Sequence, residues 1–179
     1  LMFGFSYTEG GPWNDDGIKA IAKFLDRVEK IVTRTNACKT PKEPGLYGAE
    51  EKALDYAKNY AIDRVSRDLE AFSFNTAIAR IMEFVNALYK YDGLENKNIA
   101  VEKAAVHDLV LLLAPFAPHV CEELWEMIGG KDFVIEESYP VADAKALVLD
   151  ETEYAVQVNS RMVCKAMIAT SLSQEEVEQ

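Results

Sequence analysis

The sequence is poor in the residues that build metal sites, disulfide frameworks and membrane spans. Its 179 residues include 3 cysteines and 2 histidines, and Cys38, Cys121 and Cys164 stand alone without C-x-x-C spacing. This usage predicts neither a zinc site nor a disulfide framework, and it favours a reducing, cytoplasmic setting. No apolar run approaches the roughly 18 residues of a membrane span, and no secretory signal is evident, so we expect no membrane partner.

The motifs of catalysis are missing as well. The sequence has no glycine-rich phosphate loop, no nucleophile elbow and no cluster of metal ligands. His107, beside Asp108, is expected to be a structural residue at an edge or in the core, and His119 a neutral corner residue in the first turn of a helix. Glu122 and Glu123 suit that same helix dipole. We therefore expect no catalysis, cofactor or metal in this chain alone.

Apolar residues recur at helical spacing in five segments, which predicts a mainly α fold. The segments lie at about 14–36, 49–71, 73–92, 98–114 and 118–129. The composition, 49% hydrophobic and 27% charged, is that of a globular domain with a real core. After Gly130 the pattern alternates with period two through Tyr154, Val156 and Val158 and turns at Asn159-Ser160, which predicts a small β-hairpin.

Local signals place the helix ends and the core faces. Asn14 is predicted to cap the first helix, with Trp13 and Ile18 as a hydrophobic staple. Gly93 is predicted to be the C′ glycine of the third helix, and the corner at Phe116 to be buried. The fourth helix is expected to begin near Asn98, and Pro118 to occupy N1 of a fifth helix that Gly129 closes. The predicted core stripe of the second helix ends at Phe72, and that of the first helix consists of Ile18, Ile21, Leu25, Val28 and Val32.

A strip of cations runs along the first helix of an otherwise acidic chain, whose net charge is −11. Its members, which we call the basic strip, are Lys19, Lys23, Arg27, Lys30 and Arg34. At about 100° per residue they fall within an arc of about 80°. One interpretation is a solvated helix face that happens to be basic, and the other is a docking strip for phosphates, which Arg64 and Arg67 could extend.

Four stretches together are similar to successive landmarks of leucyl-tRNA synthetases. They are PWNDDGIKAIAKFLDRVEKIV, FNTAIARIMEFVNALYKY, LLLAPFAPHVCEELWEMIG and YAVQVNSRMVCK, in the family's order and over nearly the whole chain. The third is shared with valyl and isoleucyl enzymes, whereas FNTAI and VQVN point to the leucyl member. The resemblance implies a helical anticodon-binding domain over 1–130, a linker over 131–150 and the start of a C-terminal α/β domain over 151–179.

The resemblance also implies tRNA(Leu) as the partner, held by its backbone because leucyl enzymes generally do not read the anticodon. Arg27 matches a family motif and is the position for which it implies a phosphate contact. Trp13, Asn75, Thr76 and His119 match too, with packing or capping roles expected.

The family's hairpin residues are only partly kept in this sequence. Arg161 and Lys165 retain its charge, so they are weak candidates for tRNA contact, while Ser160, Val163 and Cys164 replace its usual Gly, Arg and Gly.

The His-Ile-Gly-His and Lys-Met-Ser-Lys-Ser signatures of class I catalysis are absent. ATP and magnesium are therefore implied only for the parent enzyme, an ATP-dependent leucine–tRNA ligase, along with the remainder of the synthetase as a neighbour and a monomeric state. Two alternatives stay open: a helical protein-interaction or scaffold domain, and the equivalent domain of a valyl or isoleucyl enzyme.

Overall fold

Five α-helices make up most of the described chain, which confirms the prediction of a mainly helical fold. A computed structural model describes residues 3–4, 10–11, 15–39, 45, 47–148, 151–158 and 161–169, with side chains except at 15–16 and in the strands. The helices are α1 (Asp15–Ala37), α2 (Ala49–Glu70), α3 (Phe74–Asp92), α4 (Ile99–Leu113) and α5 (Pro118–Met127), followed by a 3-10 turn, η1 (Val134–Glu136).

Helix α4 is the centre of the bundle. It packs against each of the other four helices, while α2 and α3 form the most extensive helix pair. Ala105, Val106 and the run 109–113 are all buried, so the second half of α4 is covered on nearly every side. An apolar run such as 109–113 is stable only inside a core, so the sequence of the second half of α4 favours its central place.

The ends of α4 and α5 follow from local chemistry and lie where the sequence predicts them. The Asn98 side chain accepts hydrogen bonds from the backbone N–H groups of Ala100 (3.1 Å) and Val101 (3.4 Å). Pro118 begins α5, where a missing N–H costs nothing. Gly129 follows α5 with φ +91°, a conformation that favours glycine.

Four positions differ from the sequence-based expectation. Ile18 is 50% exposed, because the buried face of α1 begins only at Phe24. Phe72 is 61% exposed, since α2 has already ended at Glu70 and φ +55° at Phe72 turns the chain away from the helix. Gly93 is the C-cap itself, with φ −72°, so no left-handed glycine closes α3. Phe116 is half-buried, and the predicted cap at Asn14 and staple at Trp13 lie outside the described residues.

Residues 131–148 lie across the bundle as an anchored strap. The backbone N–H of Val134 donates to Oε2 of Glu122 (3.0 Å), and the indole N–H of Trp125 donates to the carbonyl of Lys131 (3.2 Å). Farther along, the N–H of Asp143 donates to Oδ1 of Asn59 on α2 (2.7 Å). The strap therefore touches both α5 and α2.

Two strands come after the strap, β1 (Glu151–Val158) and β2 (Arg161–Ala169). They pair antiparallel from Glu151↔Ala169 to Val158↔Arg161, with a register shift between Val156 and Gln157. The predicted turn at Asn159-Ser160 lies outside the described residues.

Candidate nucleic-acid interface

The basic strip lies along the side of α1 that borders α3. Lys19, Lys23, Lys30 and Arg34 are exposed and Arg27 is half-buried. The other flank of α1 touches α5, where the amide N–H of Asn36 donates to the carbonyl of Met127 (2.8 Å). The bundle thus leaves one long side of the strip open to solvent and packs the other against α3.

Two arginines of the strip pack on Tyr89 of α3. The guanidinium carbons of Arg27 and Arg34 lie 4.8 and 5.2 Å from the centroid of its ring. The Tyr89 hydroxyl donates to the carbonyl of Arg27 (2.9 Å), and Nη2 of Arg27 donates to Oδ1 of Asn86 (2.9 Å). These contacts fix both guanidinium groups, and each cation–π contact contributes about 0.5–1 kcal/mol at an exposed site. This role of Tyr89 depends on how α3 packs against α1, which the sequence alone does not show.

Arg34 also begins a chain of charged side chains that leads into the core. It pairs with the carboxylate of Asp92, which is 14% exposed. Lys97 bridges Asp92 to the fully buried Glu102 on α4, with Nζ 3.2 and 3.1 Å from the two carboxylate oxygens of Glu102. Burial raises the pKa of Glu102 and Lys97 opposes that shift. For Lys97, burial lowers the pKa, but the hydrogen bonds to Asp92 and Glu102 outweigh it and raise the pKa overall.

The lysines of the strip are held less firmly than the arginines. Lys30 pairs with Asp26 one turn earlier at 2.7 Å, and this hydrogen bond and charge raise the pKa of Lys30. Both side chains are exposed, so the pair contributes little to stability. For Lys23, the described residues provide no ion pair, and its ammonium group faces solvent.

The two arginines of α2 share one carboxylate. Arg67 donates to Oδ1 of Asp63 at 2.8 and 3.1 Å, and Arg64 lies 3.9 Å from the same carboxylate. Arg64 and Arg80 both lie over the ring of Tyr60, at 5.2 and 5.9 Å from its centroid. This cluster lies on the α2 side of α3, and each of its arginines lies within 4 Å of an acid, Asp63 for Arg64 and Arg67 and Glu83 for Arg80.

The structure also describes the surroundings of His107, His119 and Thr76, which the sequence predicts to have structural roles. His107 is an edge residue whose ring lies 5.0 Å from that of Trp125, and its hydrogen bond to Asp108 raises its pKa. His119 is exposed at the start of α5. The hydroxyl of Thr76 donates to the carbonyl of Ser73 (2.8 Å), a local contact in the first turn of α3.

Three further findings bear on what the chain holds. Across 15–39 and 47–148 no three His, Cys, Asp or Glu side chains gather as a metal site would require. None of the described helices is both long and apolar enough to cross a bilayer. The side chains of Arg161 and Lys165 lie outside the part of the chain that the structure describes.

Comparisons with known proteins agree with this architecture. A family model described as the anticodon-binding domain of tRNA ligase matches residues 51–178. Over its full length the chain is 49% identical to a leucine–tRNA ligase of Clostridium kluyveri and 49% identical to that of Caldanaerobacter subterraneus subsp. tengcongensis, yet it spans 22% of the length of each.

A solved structure shares the fold. It is an Agrobacterium radiobacter LeuRS in a ternary complex with tRNA and LeuAMS. The TM-score is 0.81 and the sequence identity is 29%, and the match covers 99% of this chain and 23% of the LeuRS chain. These matches confirm the resemblance to leucyl-tRNA synthetases, and they favour it over a scaffold domain or a valyl or isoleucyl equivalent. The chain belongs to the family of anticodon-binding domains of tRNA ligases.

Proposed function

We propose that this chain is the tRNA-docking domain of a leucine–tRNA ligase, which holds tRNA(Leu) by its phosphate backbone while other parts of the same enzyme aminoacylate it. The family match and the similarity to a LeuRS solved with tRNA support this proposal. Phosphate contacts position a nucleic acid without reading its sequence, which suits a strip of cations with no base-reading motif. ATP and magnesium act in the catalytic part of the parent enzyme, a cytoplasmic monomer.

The observation that carries the proposal is the environment of Arg27. Its guanidinium group is fixed by two uncharged partners, the Asn86 amide and the Tyr89 ring. Its charge is therefore oriented but not neutralised, and it lies between Lys23 and Lys30 along the strip. Such a group binds a phosphate with little loss of side-chain freedom, because that freedom is already restricted in the free protein.

The other strip residues are graded by the acids beside them. A phosphate on Arg34 must compete with Asp92, and one on Lys30 must compete with Asp26. Arg27 and Lys23 therefore bind first, and Arg34 and Lys30 join where the RNA backbone displaces a carboxylate. Arg64 and Arg67 contribute least among the bundle residues, because they belong to α2 and lie on the α2 side of α3, away from the basic strip.

The domain layout belongs to the same proposal. Residues 1–130 form the docking bundle, 131–150 connect it to the next domain, and 151–179 open that C-terminal α/β domain with a hairpin. Arg161 and Lys165 on β2 supply a secondary tRNA contact from the C-terminal domain.

The test reverses charge on the strip in the full-length synthetase. Lys23→Glu, Arg27→Glu and Lys30→Glu together should weaken tRNA(Leu) binding and flatten the dependence of log K on log salt by about 2–3, since each lost phosphate contact removes roughly 0.7–0.9 from the slope. Binding is measured by filter retention or anisotropy at several salt concentrations.

A matched control separates the strip from net charge. Reversing the three exposed lysines Lys52, Lys131 and Lys145 changes the total charge by the same amount elsewhere on the chain. We expect this control to retain nearly the native slope. If both triple variants lose affinity and slope equally, binding depends on overall charge and the strip has no special role.

A further inference from the structure

A second exposed surface lies where α5 passes into η1, and we call residues 122–137 the α5–η1 surface. Phe133 is 64% exposed and Ile135 is 79% exposed, while Val134 between them is buried at 2%. Met127, at the end of α5, is also a large apolar side chain open to solvent. A single exposed apolar residue is ordinary, but two bulky ones on either side of a buried anchor form a paired protrusion.

The turn that carries Phe133 and Ile135 is held in one conformation. Backbone hydrogen bonds join Gly130 to the Trp125 carbonyl (2.9 Å) and Glu136 to the Phe133 carbonyl (3.0 Å). Together with the Val134–Glu122 and Trp125–Lys131 bonds, they close the turn on itself and tie it to α5 at Lys131 and Val134. A fixed apolar protrusion loses little conformational entropy on binding, as a docking element requires.

Acidic side chains surround this protrusion. Within 122–137 the sequence has six carboxylates and one lysine, Lys131, for a net charge of −5 out of −11 for the whole chain. The carboxylates belong to Glu122, Glu123, Glu126, Asp132, Glu136 and Glu137. The potential of such a surface repels nucleic acid and attracts a basic partner.

The α5–η1 surface and the basic strip lie on different sides of α1. The strip side contacts α3 through Arg27 and Arg34, whereas the α5 side contacts Met127 through Thr33 and Asn36.

We propose that the α5–η1 surface docks a protein surface that offers an apolar recess rimmed by lysine or arginine, with Phe133 and Ile135 inserted into that recess. This function is separate from tRNA docking, since it uses other residues and the opposite charge. Burial of the two side chains supplies affinity, and the carboxylates select basic partners and speed association.

The test uses synthetic amphipathic helices as probes of this chemistry. One probe has leucines on one face and lysines on the other, and the second replaces the lysines by glutamates. Each is titrated into the full-length synthetase with isotope-labelled methyl groups and followed by NMR. We expect the lysine probe to shift resonances of 122–137 and to bind less tightly as salt is added, and the glutamate probe not to bind.

Matched variants decide whether the protrusion is responsible. Phe133→Ser with Ile135→Ser should weaken binding of the lysine probe about tenfold, whereas Phe72→Ser with Val141→Ser should leave its Kd within about twofold of the native value. Phe72 and Val141 are also exposed, at 61% and 89%, but lie outside this surface. Shifts centred elsewhere, equal weakening by both double variants, or equal affinity for the glutamate probe would each overturn the proposal. Loss of tRNA binding by the Phe133 and Ile135 variant would contradict the separation from the strip.

Discussion

Replacing Lys97 by methionine should destabilise the chain, because it removes the counter-ion of a buried carboxylate. Glu102 is fully buried, and Lys97 is 14% exposed with Nζ 3.1–3.2 Å from both of its oxygens. Breaking a buried pair on one side leaves an uncompensated charge and costs about 3–5 kcal/mol. For a chain of this size each kcal/mol lowers Tm by about 2–4 °C, so Lys97→Met should lower Tm by roughly 6–20 °C.

The loss should depend on pH in a defined direction. Burial already raises the pKa of Glu102 above 4.5, and without Lys97 it rises further. A carboxyl whose pKa is higher in the folded state contributes stability below its unfolded pKa and loses that contribution as pH rises through the folded value. The deficit of Lys97→Met should therefore be largest near neutral pH and shrink as pH falls toward 4.5.

Urea unfolding followed by circular dichroism at several pH values measures this effect. Adding Glu102→Gln to Lys97→Met should recover much of the lost stability, since the uncompensated charge is gone. Lys103→Met, which replaces the lysine directly after Glu102 in α4, serves as the control and should change stability by less than about 1 kcal/mol. If Lys97→Met lowers the free energy of unfolding no more than Lys103→Met does, or if its effect stays constant between neutral pH and 4.5, the explanation based on this buried pair is refuted.

The remaining predictions concern one titration and one close contact. The pKa of His107, followed by NMR, should lie above 6.5, and Asp108→Asn should return it to that value or below, because the hydrogen bond to Asp108 is the main cause of the shift. The protonated His107 stabilises the fold below pH 6.5, and this contribution is lost as pH rises through the folded pKa. Gly130→Ala should cost about 1–3 kcal/mol in urea unfolding, because the new Cβ would lie 2.2 Å from the Trp125 ring. Gly17→Ala, where nothing lies within 4 Å, should instead stabilise α1 by up to about 1 kcal/mol; a loss at Gly17 equal to that at Gly130 would argue against the steric explanation.

Several helix ends could be predicted because they depend on near neighbours in the chain, although the left-handed glycine predicted at Gly93 was wrong. Asn98 caps the two N–H groups that come after it, Pro118 begins a helix where no donor is needed, and Gly129 takes a positive φ directly after α5. Each signal acts over three or four residues, so the local sequence is enough to predict it.

Contacts between elements could not be predicted in the same way. Lys97 binds Asp92 on the preceding helix and Glu102 on the next, and the sequence shows only three charges of mixed sign. The residue pair Asn59 and Asp143 is separated by 84 positions, yet it fixes the strap on α2. Pairing at such distances depends on the packing of helices that composition and periodicity leave undetermined.

The orientation of α1 shows why the basic strip was only partly predictable. The predicted core stripe, centred near Leu25, lies about 180° around the helix from the strip, which would have left every cation facing solvent. The observed core uses Phe24 and Ile31 as well as Val28 and Val32, which turns the buried face by about 55° toward the strip. Apolar residues on α1 occupy a wider arc than one neighbouring helix covers, so the partner helices select which part is buried.

That rotation decides what each cation of the strip can do. Arg27 lies only about 40° around the helix from the buried Ile31, so both strip arginines meet α3 and pack on Tyr89. The lysines, farther from the core face, stay in solvent. Arginine, with a planar group that stacks and hydrogen-bonds at once, occupies the fixed edge, and lysine, a mobile point charge, occupies the open side. The strip therefore combines oriented and adaptable cations, which suits a phosphate backbone whose path varies from one nucleotide to the next.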